Sequence, residues 1–375
     1  MEKVSLCAVG DVTGFFKDPE SAFEYTSSVL KEADITFAQN ERHYTLKSDA
    51  APPIGNSEIT TPENAERTFK PCGFDVMSFA SNHCMDLGAD IMMETVDALR
   101  KIGINVIGAG WNIAEARKPA IFERKGTRVG FLAYCSVMRE GYQAGPERAG
   151  CAPMRALTLY NQVDFQPGTP PVILTFPNKD DLQAMLEDIK KVKAEVDVLV
   201  VSFHWGIHFA RASIATYQKE VGHAVIDAGA DMILGHHPHV LKGIEVYKGK
   251  PIFYSMGNFA FDYPLEELEH RMKQGTHILR LMDLYDWKID PEWSNYAWAP
   301  ESRKSMIVKC DIVDKKIQRA SFLPVLINQK AQPQVVTRQD KRFEEMLQNM
   351  QDLTESQGIK TRFSVEGDEI VVSLT

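Results

Sequence analysis

The apolar residues of this chain gather into short unbroken runs. Eight stand out: "VSLCAVG" (4–10), "DITFAQ" (34–39), "DVMSFA" (75–80), "INVIGA" (104–109), "RVGFLAYC" (128–135), "VDVLVVSF" (196–203), "DMILG" (231–235) and "PIFYSM" (251–256). A strand with one wet face alternates polar and apolar residues, whereas a strand covered on both faces reads as a continuous run. Between these runs, apolar residues recur three and four apart, the period of a helix with one buried face. The clearest such segments are 21–33, 89–103, 180–196 and 215–229. Strand alternating with helix predicts βα units and a largely parallel sheet.

After residue 300 the pattern changes. Two strands are expected within 305–328, around "DIVDKK", then a helix at 342–356 and a hairpin at 361–374. These predict an antiparallel portion added to the sheet. Two segments fit neither pattern: 139–171, rich in Gly and Pro, and 263–300, which carries Trp287, Trp293 and Trp298. Both are predicted as long loops, a kind that often forms lids. The tryptophans either pack a small core of their own or meet substrate. The expected organisation is one catalytic domain, 1–329, with the helix and hairpin of 330–375 packed on it.

Charge and cysteine content narrow the function. With 42 basic and 51 acidic residues the formal net charge is −9, which argues against nucleic acid or an acidic membrane as the main partner. A small anionic or peptide-like substrate stays compatible, because a local metal or cationic centre overrides net charge. The six cysteines show no paired spacing, no export signal is visible, and no run reaches the roughly 20 apolar residues of a membrane helix. A reduced, cytoplasmic protein is expected, with a homo-oligomer left open.

The polar residues cluster where the strands end. "GDVTG" supplies Asp11 and Thr13; "AQNERH" supplies Glu41, Arg42 and His43; "ASNHCMD" supplies Asn82, His83 and Asp86. "FHWGIH" supplies His204, Trp205 and His208; "GHHPH" supplies His236, His237 and His239; "YSMGNF" supplies Ser255 and Asn258. In open α/β sheets ligands bind beyond the carboxyl ends of the strands. Each cluster alone is commonplace, as a turn, a helix cap or a core histidine. Together, His43 aside, they place six of the ten histidines beside Asp11, Glu41 and Asn82. Mixed nitrogen and oxygen donors suit zinc, manganese or iron. Pro238 is expected to hold its neighbours extended, so that His237 and His239 face the site together and His236 points to the interior or a supporting position. His83 and Asp86, three apart, are expected to pair.

Five segments, "GDV", "FASNHCMDLG", "GAG.N..EARKPA", "VVSFHWG" and "AVIDAGADMILGHHPHVLKGIEVYKGKPIFYSMGNFAFD", jointly resemble the CapA (poly-γ-glutamate capsule synthesis protein) family, a branch of the calcineurin-like metallophosphoesterase superfamily. The resemblance implies an α/β four-layer αββα sandwich with mixed sheets. It also implies a site for one or two divalent transition metal ions (Mn, Zn or Fe), held by Asp11, Glu41, Asn82, His204, His237 and His239. His83, with Asp86 and Asp11, takes the acid–base role; His208, Asn258, Arg42 and Trp205 are candidate substrate contacts. Thr13 stands where the phosphoesterase motif has histidine. The leading expectation is a hydrolase using metal-activated water on a phosphoester, or on an amide or ester of a small anionic or γ-glutamyl-like substrate. The alternatives are a metal-independent epimerase or lyase, and a non-catalytic module of polymer synthesis or assembly.

Overall fold

The computed structural model describes residues 2–47 and 59–375. Two mixed sheets dominate. In the larger, Val4–Val12, Ile35–Asn40, Val76–Ser78 and Asn105–Ile107 run parallel. Val4–Val12 also pairs antiparallel with Lys304–Val313, which leads through Lys316–Ile327 to the terminal hairpin Phe363–Glu366/Glu369–Val372. In the smaller, Thr127–Cys135, Val198–His204, Met232–His236 and Lys250–Phe253 are parallel, with Ala120–Arg124 and Ile244–Tyr247 as antiparallel edges. The late strands thus add an antiparallel portion to the larger sheet.

Strand Val198–His204 shows why the runs are continuous. Val198 and Val200 face the core shared with the larger sheet, while Leu199, Val201 and Phe203 face a second core. The second core is completed by helices Lys179–Lys193, through Met185, Ile189 and Val192, and Thr216–Ala228, through Val221 and Val225. Successive strand residues point to opposite faces, and both faces here are dry. Each such side chain contributes about 1.5–3 kcal/mol through burial.

The structure departs from the sequence pattern in several places. Segment 21–33 is not one helix but a 3₁₀ turn, Pro19–Phe23, and a short helix, Ser27–Lys31; the run Tyr25-Thr26-Ser27-Ser28 has low helix propensity. Segment 263–300 is not a loop. It holds helices Leu265–Gln274 and Thr276–Leu284. In 139–171, strand Gly150–Cys151 pairs with Ala109–Gly110, and Ala156–Asn161 forms a two-stranded ribbon with Val172–Pro177. Among the described residues no helix is long and apolar enough to cross a membrane.

Candidate metal centre

Both sheets deliver polar residues to one place. Asp11 lies near the end of Val4–Val12, Glu41 directly follows Ile35–Asn40, His204 closes Val198–His204 and His236 closes Met232–His236. A backbone clasp joins the first strand to the segment after Lys250–Phe253. Asp11 N donates to Gly257 O at 3.1 Å, and Phe259 N donates to Asp11 O at 2.8 Å. Gly10 makes that approach feasible, since a Cβ there would sit 1.9 Å from Gly257 O.

Asp11 is fully buried. Its Oδ1 lies 3.1 Å from His236 Nδ1; its Oδ2 accepts from His237 N at 3.3 Å and lies 3.5 Å from His239 Nδ1. Glu41 Oε1 is 3.1 Å from His204 Nδ1. Among the described residues, neither carboxylate oxygen of Glu41 nor His204 Nδ1 has a hydrogen bond, and His236 Nε2 has none either. His204 Nε2 lies 2.7 Å from Asn82 Oδ1 and 3.2 Å from His237 Nδ1. Asp11, Glu41 and His204 bring ligand atoms within 4.8 Å of one another. Buried polar atoms without partners cost about 1–3 kcal/mol each. Those of Glu41 and His204 lie together, which points to a group that satisfies them jointly.

The electrostatics agree. Burial pushes the Glu41 carboxyl well above its ordinary range, and the charge of Asp11 pushes the same way. Burial holds His204, His237 and His239 well below the usual imidazole value, and neighbouring histidines add to it. Neutral imidazole is the metal-binding form, and a cation favours the ionised carboxylate. The donor set of carboxylate oxygen and imidazole nitrogen therefore fits a divalent transition metal. All six cysteines are free and buried, and none is part of this donor set.

The chain does not bring His237 and His239 together by the expected route. Pro238 does not keep its neighbours extended: His237 has φ 95° and His239 has φ 56°, a region costly for residues with a Cβ. His236 does lie against Phe37, yet it also reaches Asp11. Thr13 turns away, donating to Asp262 Oδ1 at 2.7 Å, so His236 is the histidine whose ring nitrogen stands 3.1 Å from the first-strand aspartate.

A cavity of about 320 Å³ opens beside this cluster, lined by Asn82, His83, Asp86, His208 and His239 on the strand-end side. His83 Nδ1 is 2.7 Å from Asp86 Oδ2, and Tyr142 Oη donates to Asp86 Oδ1 at 2.8 Å. Burial lowers the His83 pKa while Asp86 opposes the shift. The opposite wall comes from the two insertions: Arg139 from one, Tyr263, Arg271, Ile278, Leu281 and Trp298 from the other. Trp298 stacks on His239 at 4.6 Å and on Tyr263 at 4.4 Å. No motif marks these wall residues in the sequence; the length of the segments and the tryptophans of 263–300, of which Trp298 meets the cavity, are the signals.

Of the four expected substrate contacts, only His208 lines the cavity, stacked 3.9 Å from His237. Trp205 is corrected to a core residue. It has no exposed surface, packs between Phe203 and Tyr254, and donates its indole N–H to Tyr254 O at 3.0 Å. Asn258 is corrected to a positioning role: it is buried, its Oδ1 lies 2.7 Å from His239 Nδ1, and its Nδ2 donates to Tyr296 Oη at 2.9 Å. Arg42 is buried over the Phe261 ring, donates to Glu41 O at 3.3 Å and does not line the cavity. His43 Nε2 lies 2.9 Å from Cys84 O, outside the cluster.

Residues 5–263 match the family described as bacterial capsule synthesis protein PGA_cap. The chain is 28% identical over 247 residues to the PGA biosynthesis protein CapA of Bacillus subtilis, covering 66% of this chain and 58% of that protein. It is 30% identical over 300 residues to the capsule biosynthesis protein CapA of Bacillus anthracis, covering 76% and 67%. Among solved structures, a hypothetical protein from Thermus thermophilus overlaps 86% of this chain and 98% of that one, at 13% identity and a TM-score of 0.43, too loosely to carry fold or function. The family match covers the strand-end clusters from Asp11 to Asn258, and on that ground the chain belongs to the PGA_cap (CapA) family, within the metallophosphoesterase-like superfamily.

Proposed function

We propose that this protein is a metal-dependent hydrolase of a small anionic substrate, a phosphoester or a γ-glutamyl-like amide or ester. We further propose that its two sheets and their flanking helices form the four-layer αββα frame of the superfamily. The observation that carries the reading is the orphaned donor set. Asp11, Glu41 and His204 converge within 4.8 Å, and both Glu41 oxygens lack a hydrogen bond among the described residues. These three would hold a Mn, Zn or Fe ion, with Asn82, His236, His237 and His239 as further donors, enough for a second ion. When bound, such an ion acidifies water and neutralises charge developing on the substrate.

The rest is done by the chain's own side chains. Asp86, fixed by Tyr142, holds His83 through Nδ1 and leaves Nε2 to deliver a proton to the leaving group. Arg139 and Arg271 bring positive charge to the cavity wall, the complement of a phosphate or carboxylate. Phe209 and Trp298 exclude water beside the histidines. The capsule-polymer names of the relatives support an acidic substrate of γ-linked type. The metal-free epimerase or lyase reading is weaker because it leaves Glu41 and His204 unsatisfied.

The test is a panel of aryl phosphoesters, γ-glutamyl amides and carboxylic esters, run with Mn²⁺ or Zn²⁺ and after chelation. Turnover that is lost on chelation and restored by metal is expected. No turnover in metal-loaded protein, or turnover unaffected by stripping, would overturn the proposal.

A further inference from the structure

The ribbon formed by Ala156–Asn161 and Val172–Pro177 is built unlike the rest of the molecule. Its base is fixed. Arg155 pairs with Asp181 through Nε at 2.7 Å and Nη2 at 2.9 Å, and Asn178 N donates to Arg155 O at 2.7 Å. One face is held at Thr175, although farther along it Tyr160 and Ile173 stay 68% and 58% exposed. Thr175 lies on the start of helix Thr216–Ala228, its N–H donating to Thr216 Oγ1 at 2.8 Å. In an antiparallel pair, directly opposed residues share a face. Thr158 and Thr175 therefore face the helix side, and the pairs on either side of them, Leu157–Phe176 and Leu159–Leu174, face away from it.

That outward face is apolar and wet. Leu157 is 59% exposed, Leu159 51% and Phe176 45%, and beyond them the connecting tip holds Phe165 at 98%. Surface of this kind, contiguous and apolar, marks an interaction site. Strand Ala156–Asn161 pairs only with Val172–Pro177 among the described residues, so it also offers a free strand edge.

Three features select the occupant. Asp164 is the only charged residue between 156 and 177, so the ribbon has no charge with which to recognise an acidic or basic partner, or anionic lipid. A neutral apolar face is complementary to itself, as the face of a two-fold interface must be. On that face and the tip, Leu157, Leu159, Phe176 and Phe165 leave roughly 500 Å² of apolar side chain in water, so two copies would bury about 1,000 Å², the lower end for a specific interface. We infer that the ribbon is a self-association surface, packing its Leu157/Leu159/Phe176 face against the same face of a second copy of this chain.

The test is sedimentation velocity of the full chain across micromolar concentrations. The wild type is compared with the triple variant Leu157→Ser, Leu159→Ser, Phe176→Ser and with Tyr160→Ser, which lies on the opposite face. The wild type and Tyr160→Ser are expected to form a dimer. The triple variant is expected to be monomeric, with self-association weakened at least about 100-fold and an unchanged circular dichroism spectrum. A wild type that stays monomeric would overturn the inference, as would a folded triple variant that still dimerises. Co-sedimentation of monomeric protein with phosphatidylcholine vesicles, lost in the triple variant, would assign the ribbon to a lipid surface and overturn it equally.

Discussion

At the strand ends, Glu41, His204 and His236 bury polar atoms that no hydrogen bond satisfies among the described residues; on the ribbon, Leu157, Leu159 and Phe165 hold apolar surface in water. The two regions break the usual sorting of side chains in opposite senses. The first costs about 1–3 kcal/mol for each orphaned group, and the second forgoes about 1.5–3 kcal/mol for each side chain left uncovered. Among the described residues nothing repairs either. What distinguishes them is the partner each describes. Converging carboxylate and imidazole describe a cation, and a neutral apolar face describes a surface like itself.

The comparison breaks most sharply at Glu41. Glu41→Gln keeps the shape and removes the charge, and it should lower hydrolysis about 1,000-fold or more while lowering bound metal. The same change should raise the stability of chelated protein at pH 8. A carboxyl whose pKa is raised in the fold contributes stability below its unfolded value and loses it as pH rises through the folded one. Thermal denaturation in chelator checks this, and equal midpoints for the two proteins would contradict it.

Lys242 tests whether burial alone marks a missing partner. Its side chain is buried, and it donates to Ala210 O. Burial lowers its pKa from 10.5 to about 7. The fold prefers the neutral amine, so stability is reduced below pH 7 and recovers as pH rises from about 7 toward 10.5. Lys242→Met should remove that slope and stabilise the protein by about 4 kcal/mol at pH 7, with metal content unchanged. Denaturant melts at pH 7 and 9.5 measure it.

His83→Gln should lower kcat about 100-fold without changing bound metal, because His83 sits on the cavity and not in the converging set. Loss of metal in that variant would merge the two roles that the geometry separates. The smallest effect belongs to the ribbon tip. Phe165→Ser should change monomer stability by less than about 0.5 kcal/mol, measured by denaturant titration at high dilution. A larger loss would mean that Phe165 packs within its own chain.

Much of this arrangement was legible in the sequence because its causes are local. Strands covered on both faces leave continuous runs, and the strand-end position of Asp11, Glu41 and His204 follows once the strands are placed. What was not legible depends on distant contacts. The left-handed backbone at His237 and His239 reverses the simple inference from Pro238. Trp205 and Asn258 read as site residues from their neighbours, but their partners Tyr254 and Tyr296 turn them into packing and positioning groups. The cavity wall of Arg139, Arg271 and Trp298 comes from insertions that carry no motif. The ribbon was hidden by the Gly and Pro of its tip, which read as loop.

The central claim is that Asp11, Glu41 and His204 exist to hold a divalent metal. The most direct measurement is elemental analysis of protein purified without chelator and then dialysed against Mn²⁺ or Zn²⁺, alongside Glu41→Gln. About one to two equivalents are expected in the wild type and a marked loss in the variant. Less than about 0.2 equivalents in folded wild-type protein, or equal metal in both, would contradict it.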